Sequence, residues 1–182
     1  MITMSTQTGS IYERELKALL SGQTKTIDKM VKTCDDCEAA AFSTMNGSPF
    51  IVIRAAGSLG VDLVALRWDF SFPIEVKSSE SEVMHFSRSQ KLTDQACRMH
   101  DECTRSSVMP IYAFRLKDAR GDPWRMFTLP IEVELKGRMG MLQRRVPKIE
   151  VNGNGNYIMR WPDGMKLSKF IEYMGAMSKG ME

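Results

Sequence analysis

Two carboxylates and a lysine fall close together on what read as neighbouring strands. Asp62 lies in Val61-Asp62-Leu63-Val64-Ala65-Leu66, and Glu75 and Lys77 lie in Pro73-Ile74-Glu75-Val76-Lys77. Strand side chains alternate between faces, so Glu75 and Lys77 point one way and Ile74 and Val76 the other. If residues 67–71 form a hairpin connection, Asp62 approaches Glu75. Charges projecting from an apolar sheet are costly unless they are paired or bind a metal. Two carboxylates, completed by phosphate oxygens and waters, suit Mg²⁺, for which Mn²⁺ can substitute. Such an ion polarises a phosphate and lowers the pKa of bound water. The lysine can stabilise phosphate charge or help to activate that water. The plainer alternative is an edge ion pair between Glu75 and Lys77, with Asp62 a polar turn residue.

The surroundings favour phosphate chemistry. Arg54-Ala55-Ala56-Gly57-Ser58-Leu59-Gly60 leads directly into Asp62. Small residues let backbone approach a ligand closely, and Arg54 can contact phosphate. From Lys136 to Lys148 the basic residues Lys136, Arg138, Arg144, Arg145 and Lys148 are interrupted by no acid. A stretch of that kind can neutralise DNA phosphates, or can be a solvated helix face.

The elements that must position these groups are legible as patterns. Residues 10–20 read as a helix with Ser10 as cap and Ile11, Leu16, Leu19 and Leu20 as its apolar stripe. Residues 26–42 read as a second helix. Strands are expected at 50–54, 61–66 and 72–77, a helix at 87–106, strands at 110–116 and 124–129, and a closing helix at 166–177. Arg120-Gly121-Asp122-Pro123 is turn chemistry between the last two strands. The order α-α-β-β-β-α-β-β-α predicts an α/β fold, a central mixed β-sheet flanked by helices.

With these pieces in place, the chain resembles the archaeal Holliday junction resolvases of the Hjc type, in the PD-(D/E)xK nuclease superfamily. The resemblance rests on Glu13-Arg14-Glu15-Leu16, Val52-Ile53-Arg54-Ala55-Ala56-Gly57-Ser58, Val61-Asp62-Leu63-Val64-Ala65 and Ile74-Glu75-Val76-Lys77. Trp124-Arg125-Met126-Phe127 looks like the family's last core strand. The resemblance implies a restriction-endonuclease-like core over 50–130, preceded by a helix at 10–21 that carries Glu13. It implies Asp62, Glu75 and Glu13 as metal ligands, Lys77 as catalytic lysine, and Ser58 as a contributor in the loop beside the site. Arg14 and Arg54 would contact the DNA backbone. The implied enzyme is a Mg²⁺-dependent crossover junction endonuclease of recombination and repair. It would be a homodimer that nicks two opposed strands of a four-way junction. Residues 26–45 look like an inserted helix, and the helix after Lys77, part of the family's dimer interface, matches weakly. Another restriction or repair nuclease of the superfamily is the alternative. A non-catalytic DNA-binding module of the same fold is a further one, although the intact Asp62, Glu75 and Lys77 speak against it.

Length and composition fit this expectation. The chain has 182 residues, 43% of them hydrophobic, which suits one domain spanning 1–182. Residues 1–9 are polar and no apolar run reaches the ~18 residues of a membrane span, so an intracellular, cytoplasmic protein is expected, nucleoid-associated when on DNA. The net charge of +3 selects no partner. Cys34-x-x-Cys37 and His100-x-x-Cys103 could together hold zinc, and a zinc-stabilised interaction protein is the third reading. Reduced thiols packed in helices are the expected state. His85 and His100 lie outside the motifs, Trp68, Trp124 and Trp161 suit packing, and Asp69 and Glu80 read as loop charges.

Overall fold

The sheet is built by strict alternation in its strands. The computed structural model describes residues 5–55 and 60–180. In β3 (Ser71–Ser79), Phe72, Ile74 and Val76 are buried on one face, and Glu75 is buried on the other. Around β3 runs a six-stranded sheet in the order β1 (Ile51–Arg54), β2 (Leu63–Leu66), β3, β5 (Ile111–Leu116), β6 (Trp124–Thr128), β9 (Met165–Lys166). All neighbours are antiparallel except β3 and β5. The sheet is therefore mixed, as expected, and its parallel pair is joined by a crossover through α4 (Gln90–Ser106). That crossover fits the rule that parallel neighbours need a long connection.

Helices cover the two faces unequally. On one face α1 (Ser5–Leu20), α2 (Thr24–Val31), α3 (Asp36–Ser43), α5 (Gly137–Arg145) and α6 (Leu167–Lys179) contribute to a single apolar cluster. Phe72 links Phe50 and Phe170 within it, with ring centroids 5.7 and 5.6 Å away. The other face holds a smaller cluster, in which Ala96, Met99 and Cys103 of α4 meet Phe86, Tyr112, Phe114 and Phe127. A three-stranded sheet adds its cover there: β4 (Val83–His85), β8 (Tyr157–Arg160) and β7 (Glu150–Val151). Each fully buried large apolar side chain contributes about 1.5–3 kcal/mol, so the many-helix face supplies most of the stability.

Several expectations are corrected. The helix expected at 26–45 is two helices, α2 and α3, followed by a 3-10 turn at Thr44–Asn46. Asp35 breaks it: its side chain accepts from the Glu38 amide at 2.8 Å, and Glu38 accepts from the Asp35 amide at 3.2 Å. That reciprocal capping box satisfies two donors at a fresh helix start. Ser10 lies inside α1, which begins at Ser5. The basic stretch forms α5, whose approach to the chain before it requires glycine: a Cβ on Gly140 would fall 2.0 Å from the Leu135 carbonyl oxygen. Asp69 is no loop charge. Its buried carboxylate takes both arms of Arg67, at 2.6 and 2.9 Å, and the Ser178 hydroxyl. Asp122, read as turn chemistry, is also buried and accepts from the Trp124 and Ser168 amides, which ties the β5–β6 turn to the start of α6.

Candidate active site

β2 and β3 bring the carboxylates together. Leu63 pairs with Ile74, and the Asp62 amide donates to the Ile74 carbonyl at 3.1 Å, so the register carried one residue on sets Asp62 opposite Glu75. Asp62 Oδ2 accepts the Val76 amide at 2.8 Å, which fixes the side chain across the strand. Lys77 Nζ, on the same face as Glu75, lies 2.5 Å from Glu75 Oε1. Its second partner is Gln95 Oε1 on α4, at 2.9 Å. Tyr112 faces Glu75 across the β3–β5 register, with its hydroxyl buried and unpartnered among the described residues.

The electrostatics are those of charges held out of water. Glu75 is 1% exposed. Burial pushes its carboxyl up to about 7, the neighbouring Asp62 charge adds to this, and Lys77 opposes it. Burial also raises Asp62, against the Val76 amide, which favours its charged form; the Glu13 charge raises it further. The two carboxylates repel, so a single proton shared between them is held more tightly than it would be on either group alone. Glu75 Oε2 is buried and has no hydrogen-bond partner among the described residues. An ionised oxygen in that position calls for a cation, and two carboxylates are the donor set a hard divalent ion takes. The pair therefore offers two carboxylate ligands to a divalent cation.

The remaining expected site residues divide. Glu13 Oε2 accepts from Arg54 at 2.6 Å, and its charge is felt at Asp62; of the three expected ligands, Asp62 and Glu75 face each other across the strands and Glu13 is engaged by an arginine. Among the described residues no three metal-ligating side chains converge. Arg14 is exposed on α1, and Arg54 is partly exposed, with 43% of its side chain open. Glu15, from the same motif as Glu13, accepts from Arg115 and from the Trp124 indole, both at 2.9 Å, and so fastens α1 to the sheet. Ser58 lies outside the described residues. Lys136, Arg138, Arg144 and Arg145 sit on or beside α5, on the many-helix face, whereas Glu75 and Lys77 face α4. Arg138 stacks over Trp68, 4.9 Å from its ring centroid, at the β2–β3 turn, the far end of the hairpin from Asp62.

The cysteines do not form one centre. Cys34 packs against the many-helix cluster and Cys103 belongs to the cluster under α4, on opposite faces of the sheet. All four are free thiols, and burial pushes Cys34 up to about 12 and Cys103 up to about 11, so both stay protonated.

No family model matches the chain, and no curated protein matches its sequence. Among solved structures the chain is similar to a 1.6 Å structure of Archaeoglobus fulgidus Hjc, a Holliday junction resolvase from an archaeal hyperthermophile. The two are 17% identical, the match covers 91% of this chain and 96% of that one, and the TM-score is 0.49. Among the described residues no helix is long and apolar enough to cross a membrane.

Gln95 and Tyr112 were not visible as site residues in the sequence. Gln95 carried one faint signal, a polar residue between Leu92 and Met99 on the helix stripe, beside Ala96. Tyr112 carried none, because a tyrosine in a strand is ordinary core.

Proposed function

We propose that the chain is a metal-dependent DNA endonuclease that resolves four-way junctions. The observation that carries this reading is Glu75, buried opposite Asp62 with one oxygen unpartnered and the other on Lys77. Asp62 and Glu75 would hold Mg²⁺, which when bound polarises a phosphate and acidifies a coordinated water. The chain's own groups do the rest. Asp62 is oriented by the Val76 amide, so it meets a cation without losing side-chain freedom at that moment. Lys77 presents a positive charge on the same strand face, suited to developing charge on a phosphate oxygen. Arg54, aimed by Glu13, presents a guanidinium to the DNA backbone at the mouth of the site. Phe86, Tyr112 and Phe114 wall the floor against water.

The substrate reading rests on the motifs shared with junction resolvases, and it requires two cuts. One chain carries one such constellation, and a two-fold dimer supplies the second, this being the commonest symmetry of oligomers. Backbone contacts by Arg14, Arg54 and the α5 basic residues carry no sequence information, so selection would come from the shape of the junction. The test is cleavage of a synthetic four-way junction beside duplex of equal length, with Mg²⁺ and with EDTA, together with the mass of the free protein by light scattering. Junction cleavage by a dimer, stopped by EDTA and lost in Asp62→Asn, is expected. A monomer that cuts duplex and junction equally would replace the resolvase reading with a general nuclease.

A further inference from the structure

The lysine of the site is held from a direction that the strand does not supply. An ammonium has three donors. Lys77 Nζ gives one to Glu75 Oε1 and one to Gln95 Oε1. The same Gln95 amide donates from Nε2 to the Gly60 carbonyl at 3.3 Å. Gly60 stands at φ +70°, in the left-handed region that favours glycine, two residues before Asp62. One side chain on α4 thus ties the lysine of β3 to the segment that delivers Asp62.

The chemistry of this partner matters. A carboxylate would both orient the ammonium and cancel its charge, as Glu75 already tends to do. A neutral amide oxygen orients it and leaves the charge in place. With two donors committed, the third remains for a phosphate oxygen. We infer that Gln95 is a positioning residue: with Glu75 holding the Lys77 ammonium from the strand, Gln95 holds it from α4 and so aims its remaining N–H toward the scissile phosphate. The inference rests on the nuclease reading above.

The experiment is single-turnover cleavage of pre-bound four-way junction in Mg²⁺. It compares wild type, Gln95→Met, Lys77→Ala and the double variant, with Gln90→Met on the exposed side of α4 as control. Gln95→Met is expected to lower the rate about 10- to 100-fold, the usual loss when a supporting partner is removed. Junction affinity and the melting transition should stay as in wild type. In the Lys77→Ala background the same substitution should cost nothing further, because the two residues act as one unit. If Lys77→Ala leaves no measurable rate, Lys77→Arg takes its place. If Gln95→Met loses its melting transition, Gln95→Asn, one methylene short, takes its place, with a smaller loss expected. An undiminished rate in Gln95→Met, or the same fold-loss with and without Lys77, would overturn the assignment and leave the nuclease reading standing. A wild-type protein that cleaves no DNA would overturn both.

Discussion

Glu75 should cost the metal-free protein stability at neutral pH. Its carboxyl moves from an ordinary 4.5 to about 7 on folding. Between those values the folded state binds more protons than the unfolded one, so stability falls as pH rises across this window and levels off above it. At about 1.4 kcal/mol per pH unit, that rise corresponds to roughly 3 kcal/mol. Glu75→Gln keeps the shape and removes the titration. In EDTA at pH 8 it should therefore be more stable than wild type by up to ~3 kcal/mol, about 6–12 °C in Tm for a chain of this size. At pH 4.5 the two should converge. The assay is urea unfolding followed by far-UV circular dichroism at pH 4.5, 6 and 8. Adding Mg²⁺ at pH 8 should restore stability to wild type and do nothing for the variant, since a ligand of the folded state stabilises by mass action. If Glu75→Gln is no more stable than wild type at pH 8, with the same slope against pH, then Lys77 fully compensates the buried charge and the reasoning from desolvation is wrong.

Three further outcomes follow from particular contacts. Lys77→Ala should cut the single-turnover rate about 10²- to 10³-fold with binding retained, and Lys77→Arg should recover only part, because a planar fork cannot reproduce the ammonium's two hydrogen bonds. Asp35→Ala should lower unfolding free energy by about 1 kcal/mol through loss of the α3 cap, read by urea titration, with cleavage unchanged. Arg144→Glu with Arg145→Glu should weaken junction affinity and flatten its dependence on salt, measured by fluorescence anisotropy over a salt series, while the rate from bound DNA stays as in wild type. An unchanged salt slope would mean that α5 faces away from DNA.

The parts of the site that lie within one hairpin were legible in the sequence. Glu75 and Lys77 share a face because strands alternate, and Asp62 reaches Glu75 because only a few residues separate β2 from β3. Gln95 was not legible, since its place depends on how α4 rolls over the sheet, and nothing local encodes that roll. Glu13 shows a related limit: its helix was visible, but its pairing with Arg54 is set by the angle at which α1 crosses β1. The break at Asp35 was available in principle, for Asp35-Asp36-Cys37-Glu38 carries the capping-box spacing; the alanines that follow masked it by reading as uninterrupted helix. β4, β7 and β8 are two to four residues long, too short for alternation to register. α5 was hidden by its charge and its two glycines, and it owes its existence to Leu142, Gly140 and the Gln143 hydrogen bonds to the segment before it.

The unequal clothing of the two sheet faces gives the molecule room to change. Five helices bear on the face away from the carboxylates, and their interlocking leaves little latitude. The opposite face is dressed by one long helix and a small sheet whose β7–β8 loop, Asn152 to Asn156, carries three open positions at Gly153, Asn154 and Gly155. Gly155 stands at φ +77°, so substitutions are accommodated most readily at Gly153 and Asn154, and they leave the larger core intact. What covers the carboxylates is thus the part of the molecule least bound up with the larger core, and a change in α4 reaches Glu75 and Lys77 without passing through the five-helix face.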